Sequence, residues 1–141
     1  MFGFLMAAIA GAAMSIQGVF NTRLSDKIGL YESNAIVQGS AFVLALIAMF
    51  IFGSGNIKEI VGVNKLYLSG GAIGFVITVT VMLAISKLNP TLAISTILIA
   101  QLFVAALIDA FGLFGSEKIA FGLTKYIGIA LMVAGVLVFK R

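Results

Sequence analysis

Four carboxamides and one carboxylate stand inside long apolar stretches of this chain: Gln17, Asn21, Gln38, Gln101 and Asp109. An amide donates and accepts hydrogen bonds; a carboxylate accepts them and carries a charge or a proton. In hydrocarbon such groups are costly, so they face protein or water and by default mark a solute path. The chemistry on offer is recognition of a polar solute, with a single acid available to hold a charge. Covalent chemistry fits poorly. The 141 residues include no His and no Cys, which removes thiol nucleophiles, imidazole bases and the usual zinc ligands. No enzyme activity, no cofactor and no metal is expected.

Spacing sharpens the picture. Gln17 and Asn21 are four apart, and Gly3, Ala7, Ala10 and Met14 continue their stripe at helical spacing. The stripe reads either as interhelical hydrogen-bond glue, about 0.6 kcal/mol per contact, or as a cavity lining. Asn34 and Gln38 repeat the four-residue step. Asn34 falls near the membrane surface, where capping is a sufficient role, and Gln38 lies deeper. A turn through 23–33 brings the four amides to one membrane face. Ser40 is expected to bond its own backbone. Gln101 falls near the middle of its run, roughly 15 Å along a helix from the start. Asp109 is the only acid within a run. It reads either as functional or as an interfacial anchor paired with Lys118 or Lys125.

The elements that must carry these residues are five apolar runs, approximately 2–22, 34–53, 67–86, 91–113 and 119–139. Crossing about 30 Å of hydrocarbon takes about 20 apolar residues in a helix. Hydrophobic residues make up 62% of the chain and charged residues 10%, far below the ~25% charged of a soluble domain. In lipid the backbone must satisfy itself within each segment, which favours helices. A β-barrel would need short alternating segments, and these runs are continuous. The first run lacks the basic start of a signal peptide and reads as a retained helix. The connections are short, so 1–141 reads as a single transmembrane domain. Gly70 and Gly74 form a G-x-x-x-G pair, and Gly128 and Gly135 lie seven apart; all four read as helix-packing positions. Asn89-Pro90 suits a cap followed by the first helical residue.

The formal charge is +4, but the basic residues are spread over connections and the C-terminus. A nucleic-acid partner would need them clustered on one face, so none is expected. They bear on topology instead. With five crossings, Arg23, Lys27, Lys87, Lys140 and Arg141 share one side, and Lys58, Lys65, Lys118 and Lys125 the other. Five against four holds the chain weakly in either orientation. Either Lys140 and Arg141 fix the C-terminus inside, or the chain inserts both ways and opposed copies pair. Many transporters consist of two inverted repeats with the site between them. A single five-helix chain reaches that architecture only by pairing with an inverted copy.

Several motifs together resemble a known family. Gln17-Gly18-Val19-Phe20-Asn21-Thr22-Arg23-Leu24 ends the first helix and Gln38-Gly39-Ser40-Ala41-Phe42 lies in the second. Asn89-Pro90-Thr91-Leu92-Ala93 opens the fourth, Asp109-Ala110-Phe111-Gly112-Leu113-Phe114-Gly115 closes it, and Gly128–Val136 forms the last. In this order they resemble the YdcZ-type branch of the drug/metabolite transporter superfamily over nearly the whole chain. The resemblance implies an all-α integral membrane protein of the bacterial inner membrane: half of an inverted-repeat ten-helix transporter, completed by dimerisation. It implies a substrate path through Gln17, Asn21, Gln38, Gln101 and Asp109, and an antiparallel copy of the same chain, membrane lipid and a small-molecule substrate as partners. Four-helix small multidrug exporters carry a glutamate in mid first helix. This chain has none there, so proton coupling would run through Asp109 or Glu32. The expected function is alternating-access transport of a small polar or drug-like metabolite. A small ion channel and a non-transporting scaffold or accessory subunit are the alternatives.

Overall fold

Polar residues continue helices past the end of the hydrocarbon, and this chain does so at its first turn. The computed structural model describes residues 1–119 and 122–139. The topological charges Lys140 and Arg141, and residues 120 and 121 of the fifth expected run, lie outside the described residues. The chain divides into two compact units, Met1–Lys87 and Leu88–Arg141. Among the described residues all regular structure is helical.

In the first unit, helix α1 spans Phe2–Ile28 and helix α2 spans Leu30–Phe52. The expected connection 23–33 shrinks to one residue, Gly29, because Arg23, Leu24 and Lys27 favour helix and carry α1 on past the apolar run. Gly29 has φ 103° and ψ 156°, a region open essentially only to glycine, and it reverses the chain without a loop. Helix α3 spans Gly70–Lys87. Two 3-10 turns, Ile57–Gly62 and Lys65–Ser69, precede it. Asn56 and Asn64 cap them, their side chains accepting from the Lys58 N–H at 3.2 Å and the Leu66 N–H at 3.0 Å. The start of the expected run 67–86 is therefore 3-10 rather than α. The three helices pack pairwise on one another.

In the second unit, helix α4 spans Pro90–Phe111 and helix α5 spans Leu123–Phe139, and the two pack together. The Asn89 side chain accepts from the Leu92 N–H at 2.8 Å, with Pro90 opening the helix. Gly112, in the left-handed conformation (φ 62°, ψ 40°), ends α4 at Phe111, short of the expected 113. The connection then folds back, and the Ile119 N–H donates to the Asp109 carbonyl at 2.9 Å.

Among the described residues four helical segments are long and apolar enough to cross a membrane: Phe2–Ile28, Leu30–Phe52, Lys65–Lys87 and Pro90–Phe111. The fifth falls short of the expected 119–139. It has 17 residues, roughly 25 Å at 1.5 Å per residue. Hydropathy alone misses this, because Ile119 is apolar yet bonded back to the end of α4 rather than continuing into α5.

Polarity is inverted relative to a soluble bundle. Ser33 and Asn34 are fully buried, and Asn21 and Thr22 nearly so, while Phe42, Phe50 and Phe52 stand out from the surface. Exposed apolar surface on this scale marks contact with a partner or with lipid. Gly18 sets the tightest crossing of the first unit. A Cβ there would lie 2.9 Å from Ile85 Cδ1 and 3.2 Å from Val81 Cγ1, both on α3.

Candidate functional site

The first unit brings Gln17 and Asn21 to one cleft, and places Asn34 and Gln38 on the helix that folds back beside them. Because Gly29 folds α2 directly back on α1, Ser33 Oγ reaches across and donates to the Asn21 carbonyl at 3.2 Å. Thr22 Oγ1 donates to the Gly18 carbonyl at 2.7 Å. These bonds fix the turn of α1 that carries Asn21. Gln17 and Asn21 line a small cleft of about 50 Å³ with Met14, Gly18 and, from α3, Ile77, Thr78 and Val81. On that scale one water needs about 10–15 Å³, so the cleft has room for a few waters beside the two amides. Gln17 stands exposed at its rim and Asn21 is buried. Gln38, half-buried, lies against α3: a Cβ on Gly74 would meet its Nε2 at 3.6 Å. Thr78, one turn along, spends its hydroxyl on the Gly74 carbonyl at 2.9 Å. Ser40 Oγ donates to the Val37 carbonyl at 2.9 Å, its expected local role.

Asn34 is the residue sequence reasoning undervalued. It is 1% exposed, and neither Nδ2 nor Oδ1 has a hydrogen-bond partner. It caps nothing, since α2 begins four residues earlier, at Leu30. A buried amide without a partner costs about 1–3 kcal/mol on protein scales, so its retention calls for a reason other than stability. The four-residue step to Gln38 was the signal that could have flagged it.

The packing glycines divide. Gly74 faces Gln38, whereas a Cβ on Gly70, Gly128 or Gly135 would meet nothing within 4 Å. Within one copy the close approach is at Gly18 instead. Gly70 and Gly74 share one edge of α3, and only Gly74 turns that edge toward a neighbouring helix of its own unit.

In the second unit Gln101 lies eleven residues after Pro90 and ten before Phe111, and its side chain is exposed. Asp109 is half-buried in the last turn of α4. It lines a groove of about 480 Å³ with Leu102, Ala105, Ala106, Lys125, Gly128 and Met132. Of the two lysines expected near it, Lys125 shares this groove. Both charges oppose their helices: an anion near a helix C-terminus and a cation near an N-terminus each cost about 0.3–1 kcal/mol at an exposed site. Neither is placed to stabilise its own helix. The deep cleft and the groove belong to separate units and are described separately. Among the described residues no group of His, Cys, Asp or Glu is clustered as a metal site would require.

A family model described as "Putative inner membrane exporter, YdcZ" matches residues 2–138. The chain belongs to this YdcZ family. The match covers both units and every amide named above. No curated protein and no solved structure matches the chain. The family description names an inner membrane exporter, and the exposed apolar helices agree with a membrane location.

Proposed function

We propose that the protein exports a small polar or drug-like metabolite across the bacterial inner membrane as an antiparallel, dual-topology homodimer working by alternating access. Gln101 carries the reading. It stands at the centre of a 22-residue apolar helix with its amide exposed. At that depth the surrounding medium is hydrocarbon, which offers it no hydrogen bond. A second copy supplies the missing cover and, with it, the second half of a shared polar path. The family description supports export. The five-against-four division of basic residues supports insertion both ways, and the open faces at Gly128 and Gly135 leave α5 room for a partner helix. Gln17, Asn21, Gln38, Gln101 and Asp109 line the path. Amides suit neutral or weakly charged solutes, which they bind by hydrogen bonds.

The absence of Cys makes the test direct. Gly55, in the connection between α2 and α3, is exposed. In cells, a membrane-impermeant maleimide should label about half of a Gly55→Cys population from outside and the rest only after permeabilisation. Labelling of all copies from one side would refute dual topology. A substrate identified by thermal stabilisation of the purified protein should be transported by the native chain. Gln101→Leu should abolish its flux and leave the dimer intact. Unchanged flux would remove Gln101 from the path.

A further inference from the structure

Asn34 is 1% exposed, and its Nδ2 and Oδ1 both lack a partner. A primary amide in that state presents donor hydrogens and an acceptor oxygen side by side. Its place in the first unit follows from the register of three helices. On α2, Asn34 lies one turn before Gln38, whose Nε2 lies against Gly74 of α3. On α3, Thr78 lies one turn after Gly74. Successive membrane crossings run in opposite directions, so these two steps reach the same level. Ser33, the residue before Asn34, donates to the Asn21 carbonyl on α1 at 3.2 Å. Asn21, Asn34 and Thr78 therefore share one level of the bundle. Asn21 and Thr78 line the cleft of about 50 Å³, with Gln17 at its rim, and Asn34 stands behind them on the α2 side. The bond from Ser33 fixes the Asn21 backbone and leaves its side-chain amide free to turn toward a ligand.

The groups present select the occupant. Among the described residues that line the cleft none is ionisable, so an ion would lose its water there without meeting a countercharge. The occupant is neutral. The Thr78 hydroxyl donates to the Gly74 carbonyl at 2.9 Å and keeps only acceptor capacity. A ketone answers the donor of Asn34 and leaves its acceptor empty, and a hydroxyl meets one atom at a time. A planar group with N–H beside C=O answers both atoms at once, through two parallel hydrogen bonds. We propose that the cleft binds the primary carboxamide or urea head of a small neutral solute, paired with Asn34 and Asn21, with its short apolar remainder along Met14, Ile77 and Val81. Size agrees, since a cleft with room for a few waters takes about three or four heavy atoms. As a substrate site this rests on the transport reading, which it deepens by naming the solute class for the part of the path formed by Gln17 and Asn21.

The test uses the full-length protein, purified in a neutral detergent and isotope-labelled at its asparagine side-chain amides for NMR. Three probes share one shape and differ in the head: butanamide, methyl propyl ketone and butyrate. The Asn34 signal is assigned by its loss in Asn34→Leu. Butanamide should shift the Asn34 and Asn21 signals saturably and leave those of Asn56 and Asn64, which cap the two turns before α3, in place. It should bind at least about tenfold more tightly than the ketone or butyrate, because each of those leaves a polar atom of Asn34 unanswered. Asn34→Leu and the smaller Asn34→Ser should each abolish this preference, with binding then read at Asn21. Equal affinity for the three probes, an Asn34 signal unmoved at saturation, equal shifts at every asparagine, or a preference that both variants keep would overturn the proposal. So would a bound-water signal at the Asn34 amide that saturating butanamide leaves in place. Binding and flux are read separately. Flux of a solute without any amide preference keeps the transport reading and loses this solute class. Amide preference without flux of any bound amide keeps the binding site and removes the transport reading.

Discussion

Replacing Asn34 with leucine should stabilise the protein and impair it. Asn34 is 1% exposed and both of its polar side-chain atoms lack partners. Leucine branches at the same carbon and removes the buried amide. Replacing a polar group with an apolar one of similar shape recovers the desolvation penalty, about 1–3 kcal/mol for an amide. Helix propensity adds up to about 0.5 kcal/mol, because leucine favours a helix interior more than asparagine does. Leucine has somewhat more bulk, and crowding offsets part of the gain. The expected net change is about 1–2 kcal/mol of added stability, read by reversible unfolding of the purified protein in mixed micelles. Asn34→Asp is the counterpart. It leaves a carboxylate with no cation paired to it, and should either unfold the α1–α2 turn or force the acid to stay protonated. If the amide serves solute passage, Asn34→Leu should also lower flux, the usual exchange of stability for activity at a functional position. A gain below about 0.5 kcal/mol would be propensity alone. A net loss would mean that Asn34 is satisfied and structural, and the reasoning would fail.

Two further substitutions probe the packing of α1 against α2 and α3. Gly29→Ala forces an L side chain into a backbone region that only glycine occupies readily, and its Cβ would strike the Glu32 carboxylate. The expected cost is about 1–3 kcal/mol, measured by the same unfolding assay, and an alanine variant as stable as the native chain would refute the one-residue turn. Gly18→Leu has no room, with Ile85 Cδ1 at 2.9 Å from the first added carbon and the β-branched Val81 behind it. It should separate α1 from α3 and cost about 1–3 kcal/mol by overpacking. Gly70→Leu on the open edge of α3 is the control, and equal losses at the two positions would show that Gly18 holds no special crossing.

Much of this fold is legible in the sequence because the membrane imposes a simple rule. Apolar length marked the four long helical segments, although α1 runs on to Ile28, past the expected 22, and Asn89-Pro90 marked the start of α4 by cap chemistry. The failures share a cause: hydropathy reports where hydrocarbon begins, not where hydrogen bonding continues. Arg23, Ser25, Asp26 and Lys27 are polar and helical, so the expected connection 23–33 is a single glycine. Ile119 is apolar and bonded back to Asp109, so α5 starts later than its hydropathy implies. The candidate site was legible where two residues share a helical stripe, as Gln17 and Asn21 do in one cleft. It was not legible where the partner lies on another helix. Nothing in the spacing of Ser33 shows that its hydroxyl crosses to Asn21, and nothing in that of Asn34 shows that it lacks a partner.

The residues of interest are those that defy the rule governing their own element. Asn34 is polar, buried and unpartnered in the first unit; Gln101 is polar and exposed at the centre of an apolar helix. Asp109 and Lys125 each carry the sign of charge that their helix end disfavours. A chain selected for folding alone would lose all four, since each has an apolar or oppositely charged replacement that its helix would prefer. The two exceptions on α4 are separated by eight residues, about 12 Å, one at mid-membrane depth and one near the interface. Under the transport reading proposed above, that spacing would give a solute two successive stations, a carboxylate and then a neutral amide. A charged station at the edge captures from water, where competition from solvent is strong. A neutral station in the middle must release as readily as it binds, and an amide, unlike a carboxylate, holds a solute by hydrogen bonds without adding a full charge in the low-dielectric interior.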